Sequence, residues 1–223
     1  VECSHDLGQR ESCQARPVTR CIPLYGVRRG PHCGIVLRSG GLARIAVESA
    51  LTLFPLTDML ADLFTKTGAV FTPCKRYRYR LWRTWDESKP PLVMVMLNPS
   101  IADESRNDPT VERCQRRAMA SGHGGLEVVN IFALVSTDPA ALYTTADPVG
   151  PDNNAAILDA VQGAGMVLCG WGTHGNHVGR AKEVVDLLRQ AGITPHCLGT
   201  NADNSPKHPL YVAYAAKPVP YGL

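Results

Sequence analysis

One apolar run stands out along the chain: Val93-Met94-Val95-Met96-Leu97, which stops at Asn98-Pro99. With no polar alternation, it predicts a strand buried on both faces of a parallel sheet. Similar runs follow at Leu126 to Phe132, Gly165 to Gly170 and Ile193 to Leu198. Between them the apolar residues fall at helical spacing. This predicts helices from about Val111 to Ser121, from Asp152 or Asn153 to about Gln162, and from about Val178 to Ala191. Asp108 ahead of Pro109, and Asp152 or Asn153, supply capping side chains; Gly122 and Gly192 supply stops. Alternating strands and helices imply an α/β fold, a three-layer α/β/α sandwich around a central, mainly parallel four-stranded sheet.

Ahead of this block the pattern changes. Val1 to about Gly41 carries Arg, Gly, Pro and Cys without a sustained apolar period and reads as an irregular basic arm. Leu42 to about Lys66 shows helix faces split at Pro55. The expected division is residues 1–70 as an irregular and helical extension and 71–223 as the α/β/α domain. Lys75 to Arg83 alternates, which places Arg76, Arg78 and Arg80 on one face of an edge or second strand and Tyr77, Tyr79 and Leu81 on the other. Such arginines suit phosphate contact, and equally they guard a sheet edge against aggregation.

Composition narrows the class. With 44% hydrophobic and 19% charged residues and no window of membrane-spanning length, the chain reads as a soluble globular protein. A net charge of +3 and a pI near 8.4 permit an anionic partner such as nucleic acid without requiring one. The eight cysteines include no CxxC pair, and the N-terminus lacks the zones of a signal peptide, so free thiols and a cytoplasmic location are expected. Cys3, Cys13, Cys21 and Cys33, with His5 and His32, have the donor types of a zinc site but irregular gaps.

Polar residues follow all four buried runs: Asn98 to Asp108, Asn130, Trp171 to Gly175, and Thr200 to Tyr211. In an open α/β sheet these segments converge beyond the carboxyl ends of the strands, where ligands bind. Local roles stay open beside functional ones. Asp108 can cap a helix, Asn98 and Asn130 can satisfy loop backbone, and the glycines around Trp171 and His174 can serve turns.

The motif order Leu97-Asn98-Pro99-Ser100, then Asn130, then His208-Pro209-Leu210 resembles that of the uracil-DNA glycosylase superfamily. From about Tyr77 to Tyr211 the chain also resembles a bacterial and phage family catalogued only as a domain of unknown function. The matching segments are Leu97 to Thr110, Asp138-Pro139, Gly170-Trp171-Gly172 and His208-Pro209-Leu210-Tyr211. A further similarity is to anti-phage glycosylases that excise glucosylated hydroxymethylcytosine from phage DNA.

The resemblance implies a monomeric enzyme that flips a base from DNA and hydrolyses its N-glycosidic bond without metal or cofactor. It assigns Asn98 to the attacking water, with Asp103 or Asp108 assisting, and His208 to the departing base. Asn130 would read the base edge, and Trp171 and His174 would line its pocket. Arg78, Arg80 and Lys207 would hold phosphates, and Leu210 would wedge into the stack. Uracil-selective members carry a Tyr where this chain has Ser100; the smaller residue leaves room for a C5-modified pyrimidine. Two other classes remain: a metal-dependent hydrolase using Asp103, Asp108, His174, His177 and His208 around Mn or Zn, and a non-catalytic nucleic-acid-binding module.

Overall fold

A computed structural model describes residues 65–100, 102 and 107–222. The basic arm and the helical stretch expected from Leu42 lie outside these residues as far as Phe64, and so do Ile101 and residues 103–106. Seven strands form one sheet: β1 (Lys66–Phe71), β2 (Arg78–Thr84), β3 (Pro91–Met96), β4 (Gly125–Asn130), β5 (Met166–Cys169), β6 (His196–Cys197) and β7 (Val219–Pro220). Their spatial order is β1-β2-β4-β3-β5-β6-β7.

The four runs read as buried strands are β3 to β6, and they lie side by side and parallel. The expected four-stranded sheet nevertheless falls short. β1, β2 and β7 join antiparallel, so the sheet is mixed and has seven strands. The reason is local. β1 carries Gly68, where a Cβ would fall 2.1 Å from Trp82 Cζ2, so a packing position in this strand holds no apolar side chain. β7 is a two-residue edge strand ending in Pro220. β1 also brings residues 66–70, assigned above to the extension, into the sheet.

Four α-helices are described: α1 (Pro109–Ala120), α2 (Ala141–Thr144), α3 (Asn153–Val161) and α4 (Arg180–Gln190). Alternate residues of β3 feed two cores. Leu92, Met94 and Met96 pack with Val111, Cys114 and Ala118 of α1. Val93 and Val95 pack on the other face with Ile157 and Val161 of α3 and Val184 and Leu188 of α4. No helix among the described residues is long and apolar enough to cross a membrane. Cys74, Cys114, Cys169 and Cys197 are free thiols.

Connectivity creates a crevice. From β3 the chain passes through α1 to β4 on one side, then through α3 to β5 on the other side of β3. The reversal is a topological switch point, and the segments after β3 and β5 diverge there.

Three boundaries moved from expectation. α2 is a four-residue helix where the pattern predicted none. α4 starts at Arg180 because Val178, at φ +47°, and Gly179, at φ +73°, take left-handed conformations that stop the helix from beginning earlier. β6 pairs over only two residues.

A β-bulge corrects the reading of β2. Val70 pairs with Arg80 and Phe71 with Arg78, which leaves Tyr79 without a partner on β1. The extra residue puts Tyr79 and Arg80 on the same face and turns Arg78 to the other. Tyr79 joins the core on the α3 and α4 side, and Arg80 pairs with Glu127 and with Asp159 of α3. Arg78 and Arg80 therefore do not share a face, contrary to strict alternation.

Close approach at the start of β4 yields a stability prediction. A Cβ on Gly124 would fall 2.0 Å from the Asp86 carbonyl oxygen and 2.5 Å from that of Lys89, both backbone atoms. Gly124→Ala should lower the unfolding free energy by about 1–3 kcal/mol, measured by urea denaturation.

Candidate functional site

A cavity of about 680 Å³ opens at the switch point. Its lining comes from the segments after β3, β4, β5 and β6, the first turn of α1, and Arg78 of β2. Nine of the residues named from the sequence meet there: Arg78, Asn98, Ser100, Asp108, Asn130, Trp171, His174, Lys207 and His208. Arg80 and Leu210 do not line it. Asp103 lies outside the described residues. Asp108, His174, His177 and His208 do not gather as metal ligands; among the described residues no three His, Cys, Asp or Glu side chains are grouped to hold an ion.

Asn98 is fixed from one side. Its Nδ2 donates to the carbonyl oxygens of Ser136 at 2.8 Å and Pro99 at 3.2 Å. With Nδ2 committed, Oδ1 is the atom left to accept from a ligand or water; no described residue donates to it. Asp108 is the only carboxylate among the described lining residues, and both its oxygens are occupied. Oδ1 accepts from the Val111 N–H at 2.8 Å, capping α1, and Oδ2 accepts from the Ser100 hydroxyl. The capping role that the sequence left open is thus observed, and the second oxygen fixes the Ser100 hydroxyl within the cavity wall.

Asn130 is 98% buried (2% exposed), and its Oδ1 has no hydrogen-bond partner. A buried acceptor without a donor costs about 1–3 kcal/mol, so a ligand donor would be favoured there. Its position depends on two residues that the sequence reading missed. Asn153, expected as a helix cap, turns inward instead and donates from Nδ2 to the carbonyls of Asn130 and Ile131. Arg180 Nε donates to Ile131 O at 2.7 Å.

Trp171 is buried against Gly175, where a Cβ would fall 2.1 Å from its Cδ1. Gly172, at φ +72°, turns the chain after it. Some of these glycines are therefore required by turn geometry and others by contact with the indole.

His208 Nδ1 accepts from the Leu210 N–H at 3.4 Å. In the neutral ring the proton then resides on Nε2, which can donate. Burial pushes the pKa of His208 below its ordinary value of 6.5, and nearby Asp108 opposes the shift, so the ring is neutral at physiological pH. Tyr211, 84% exposed, lies at the cavity mouth with its ring 5.6 Å from that of His208.

Two arginines of α1 clasp the segment that carries His208, and neither was singled out from the sequence. Arg113 donates to the carbonyls of Pro209 and Val212, and Arg117 donates to those of Val212, Ala213, Tyr214 and Ala216. The available signal was position. Arg117 lies three residues past Cys114 and next to Ala118, inside the apolar stripe of α1.

Two outcomes follow. Arg117→Met should destabilise the fold by about 2 kcal/mol, the scale of lost hydrogen bonds to a charged donor. Hydrogen exchange should quicken across residues 208–216 while the sheet stays protected. For His208, the unfolded chain takes up a proton more readily than the folded one. Its contribution to stability is therefore constant above 6.5 and declines as pH falls from there through the folded pKa. Urea titrations at several pH values should show a smaller acid loss in His208→Asn.

No curated protein and no solved structure matches the chain. One family does: the family described as Protein of unknown function (DUF1643) matches residues 78–210, nearly the span over which the motifs were recognised, and it takes in every described residue that lines the cavity except Tyr211. Since the match covers more than half of the chain, the protein belongs to the DUF1643 family.

Proposed function

We propose that the protein is a DNA glycosylase that flips a modified pyrimidine into this cavity and hydrolyses its N-glycosidic bond. The observation that carries the reading is the meeting of Asn98, Asn130 and His208 in one cavity at the ends of the central parallel strands. These three stand at the motif positions through which the chain resembles the uracil-DNA glycosylase superfamily.

The reaction breaks the bond between C1′ and the base nitrogen. The electron pair leaves with the base, and positive charge builds on the sugar. Neutral His208 donates from Nε2 to an oxygen of the departing base, where negative charge grows. Asn98 Oδ1 accepts a hydrogen bond from the water that adds to C1′; that water then loses its proton to solvent, and the departed base anion takes one up from solvent. A neutral amide orients water without deprotonating it. Asn130, with an unfilled acceptor and its amide N–H, matches the donor and acceptor edge of a pyrimidine.

The size of the cavity favours more than a bare ring. About 680 Å³ lies within the range of pockets for drug-sized ligands. Ser100, small and tied to Asp108, leaves the space that a C5 substituent would occupy. The base we favour is glucosylated hydroxymethylcytosine in phage DNA, which would make the protein a cytoplasmic anti-phage enzyme acting as a monomer. Lys207 and Arg78 at the cavity supply positive charge for the backbone.

The test is base release from duplexes carrying uracil, hydroxymethylcytosine or glucosylated hydroxymethylcytosine, with chelator present, scored by mass spectrometry and by alkali-labile strand breaks. Release from the glucosylated duplex is expected. Asn98→Ala and His208→Ala should each slow it by about 10²-fold with the fold intact. Because the depressed pKa keeps Nδ1 of His208 unprotonated and accepting from the Leu210 N–H, activity should persist below pH 6.5 and fall only as protonation of Nδ1 breaks the bond that orients the ring. Full activity in Asn98→Ala would remove that residue from the mechanism, and binding without release from any duplex would favour a nucleic-acid-binding module.

A further inference from the structure

The cavity holds a second histidine, and its ring is anchored from outside. His174 lines the cavity, and its Nδ1 lies 2.9 Å from the Tyr143 hydroxyl. Tyr143, in α2, does not line the cavity. Its ring packs on His177 at 4.4 Å between centroids and edge-on to His174 at 5.9 Å. His177 in turn lies 5.9 Å from Phe132, which is fully buried just past Asn130. A chain of tilted and edge-on ring contacts therefore runs from the core to the cavity wall in the order Phe132, His177, Tyr143, His174.

The chemistry of the pair sets a direction. A phenol hydroxyl can donate to an imidazole nitrogen. When Tyr143 donates to Nδ1, the ring N–H of His174 is the one on Nε2. With Nδ1 engaged by Tyr143, Nε2 is the ring nitrogen left for a ligand. The same lining includes Thr137 and Thr173. Asn130 and His208 already match the edge and the departing oxygen of a flipped pyrimidine, so this part of the wall is free for another group.

We propose that Tyr143 is a positioning residue: it holds His174 so that Nε2–H donates to an oxygen on the substituent of the flipped base. The identity of the ligand rests on the glycosylase reading, whereas the hydrogen-bonded pair does not. His174 would then distinguish a base with an oxygen-rich substituent from a bare one. Neither residue takes part in bond breaking.

The test uses the full chain labelled with nitrogen-15 histidine and two duplex oligonucleotides, one carrying glucosylated hydroxymethylcytosine and one uracil. His174 resonances are assigned by their loss in His174→Gln. They should shift with the glucosylated duplex and not with the uracil duplex. Tyr143→Phe keeps the ring and removes only the hydroxyl; it should raise the Kd for the glucosylated duplex about three- to tenfold, the factor carried by one neutral hydrogen bond. In a His174→Gln background it should cause no further loss. Unmoved His174 resonances, an equal shift with uracil, or a Tyr143→Phe loss undiminished in the His174→Gln background would each overturn the assignment. Base release is scored in the same samples, so a selective His174 shift without release would sink the glycosylase reading alone.

Discussion

Two carbonyl oxygens at the carboxyl end of β4 impose the constraint on which the site depends. Asn130 ends β4 and Ile131 follows it, both buried, and leaving their carbonyl oxygens unpaired would cost about 1–3 kcal/mol each. Asn153 donates to both, at 2.9 and 3.0 Å, and Arg180 donates to Ile131 O at 2.7 Å. Asn153 opens α3 and Arg180 opens α4, so both helices are pinned to the same short stretch of strand. Arg180 is 1% exposed, and its charge is met by Glu183 at 2.8 Å. Asn130 is thereby presented to the cavity by buried bonds, and the segment from Trp171 to Gly179, which runs into Arg180, ends at a fixed point.

The opposite face is tied by another device. Arg113 and Arg117, one turn apart on α1, bind the backbone carbonyls that follow His208. Gly170 closes the gap from the sheet side, where a Cβ would fall 2.9 Å from Pro209 Cδ and 3.3 Å from Met96 Sδ. The end of β3 and the segments after β5 and β6 are thus pressed together, and the cavity adjoins them. A polar constellation drawn from several segments can keep its geometry only when each segment is held in this way.

Much of this was legible because period and position carry it. β3 was read from an unbroken apolar run, and α1 from its stripe and from Asp108 ahead of Pro109. Asn98, Asn130 and His208 could be expected to converge because parallel strands send their carboxyl ends to one edge. What escaped depends on distant partners. A bulge at Tyr79 breaks the two-residue alternation, and nothing in Tyr77-Arg78-Tyr79-Arg80 marks where it falls. Asn153 and Asp152 are equal candidates for a helix cap; only the carbonyls of β4 decide that Asn153 turns inward. β1, with a glycine at its packing position, and β7, two residues long, take their strand character from neighbours rather than from their own sequence.

The charge inventory bears on how the site can work. Among the described lining residues the only carboxylate is Asp108, already committed to the α1 cap and to Ser100. The remaining polar groups facing the space are amides, hydroxyls, neutral His208, His174 and two cations, Arg78 and Lys207. Such an array has oriented dipoles but no described group free to act as a strong base. It is therefore suited to stabilising charge that the substrate develops for itself more than to activating a poor nucleophile. Cleavage of a glycosidic bond meets that condition: once the base begins to leave, the sugar becomes electrophilic enough for oriented, neutral water. The proposed roles of Asn98 and His208 demand only what fixed dipoles can supply, and the bonds that hold them fix those dipoles before any ligand arrives.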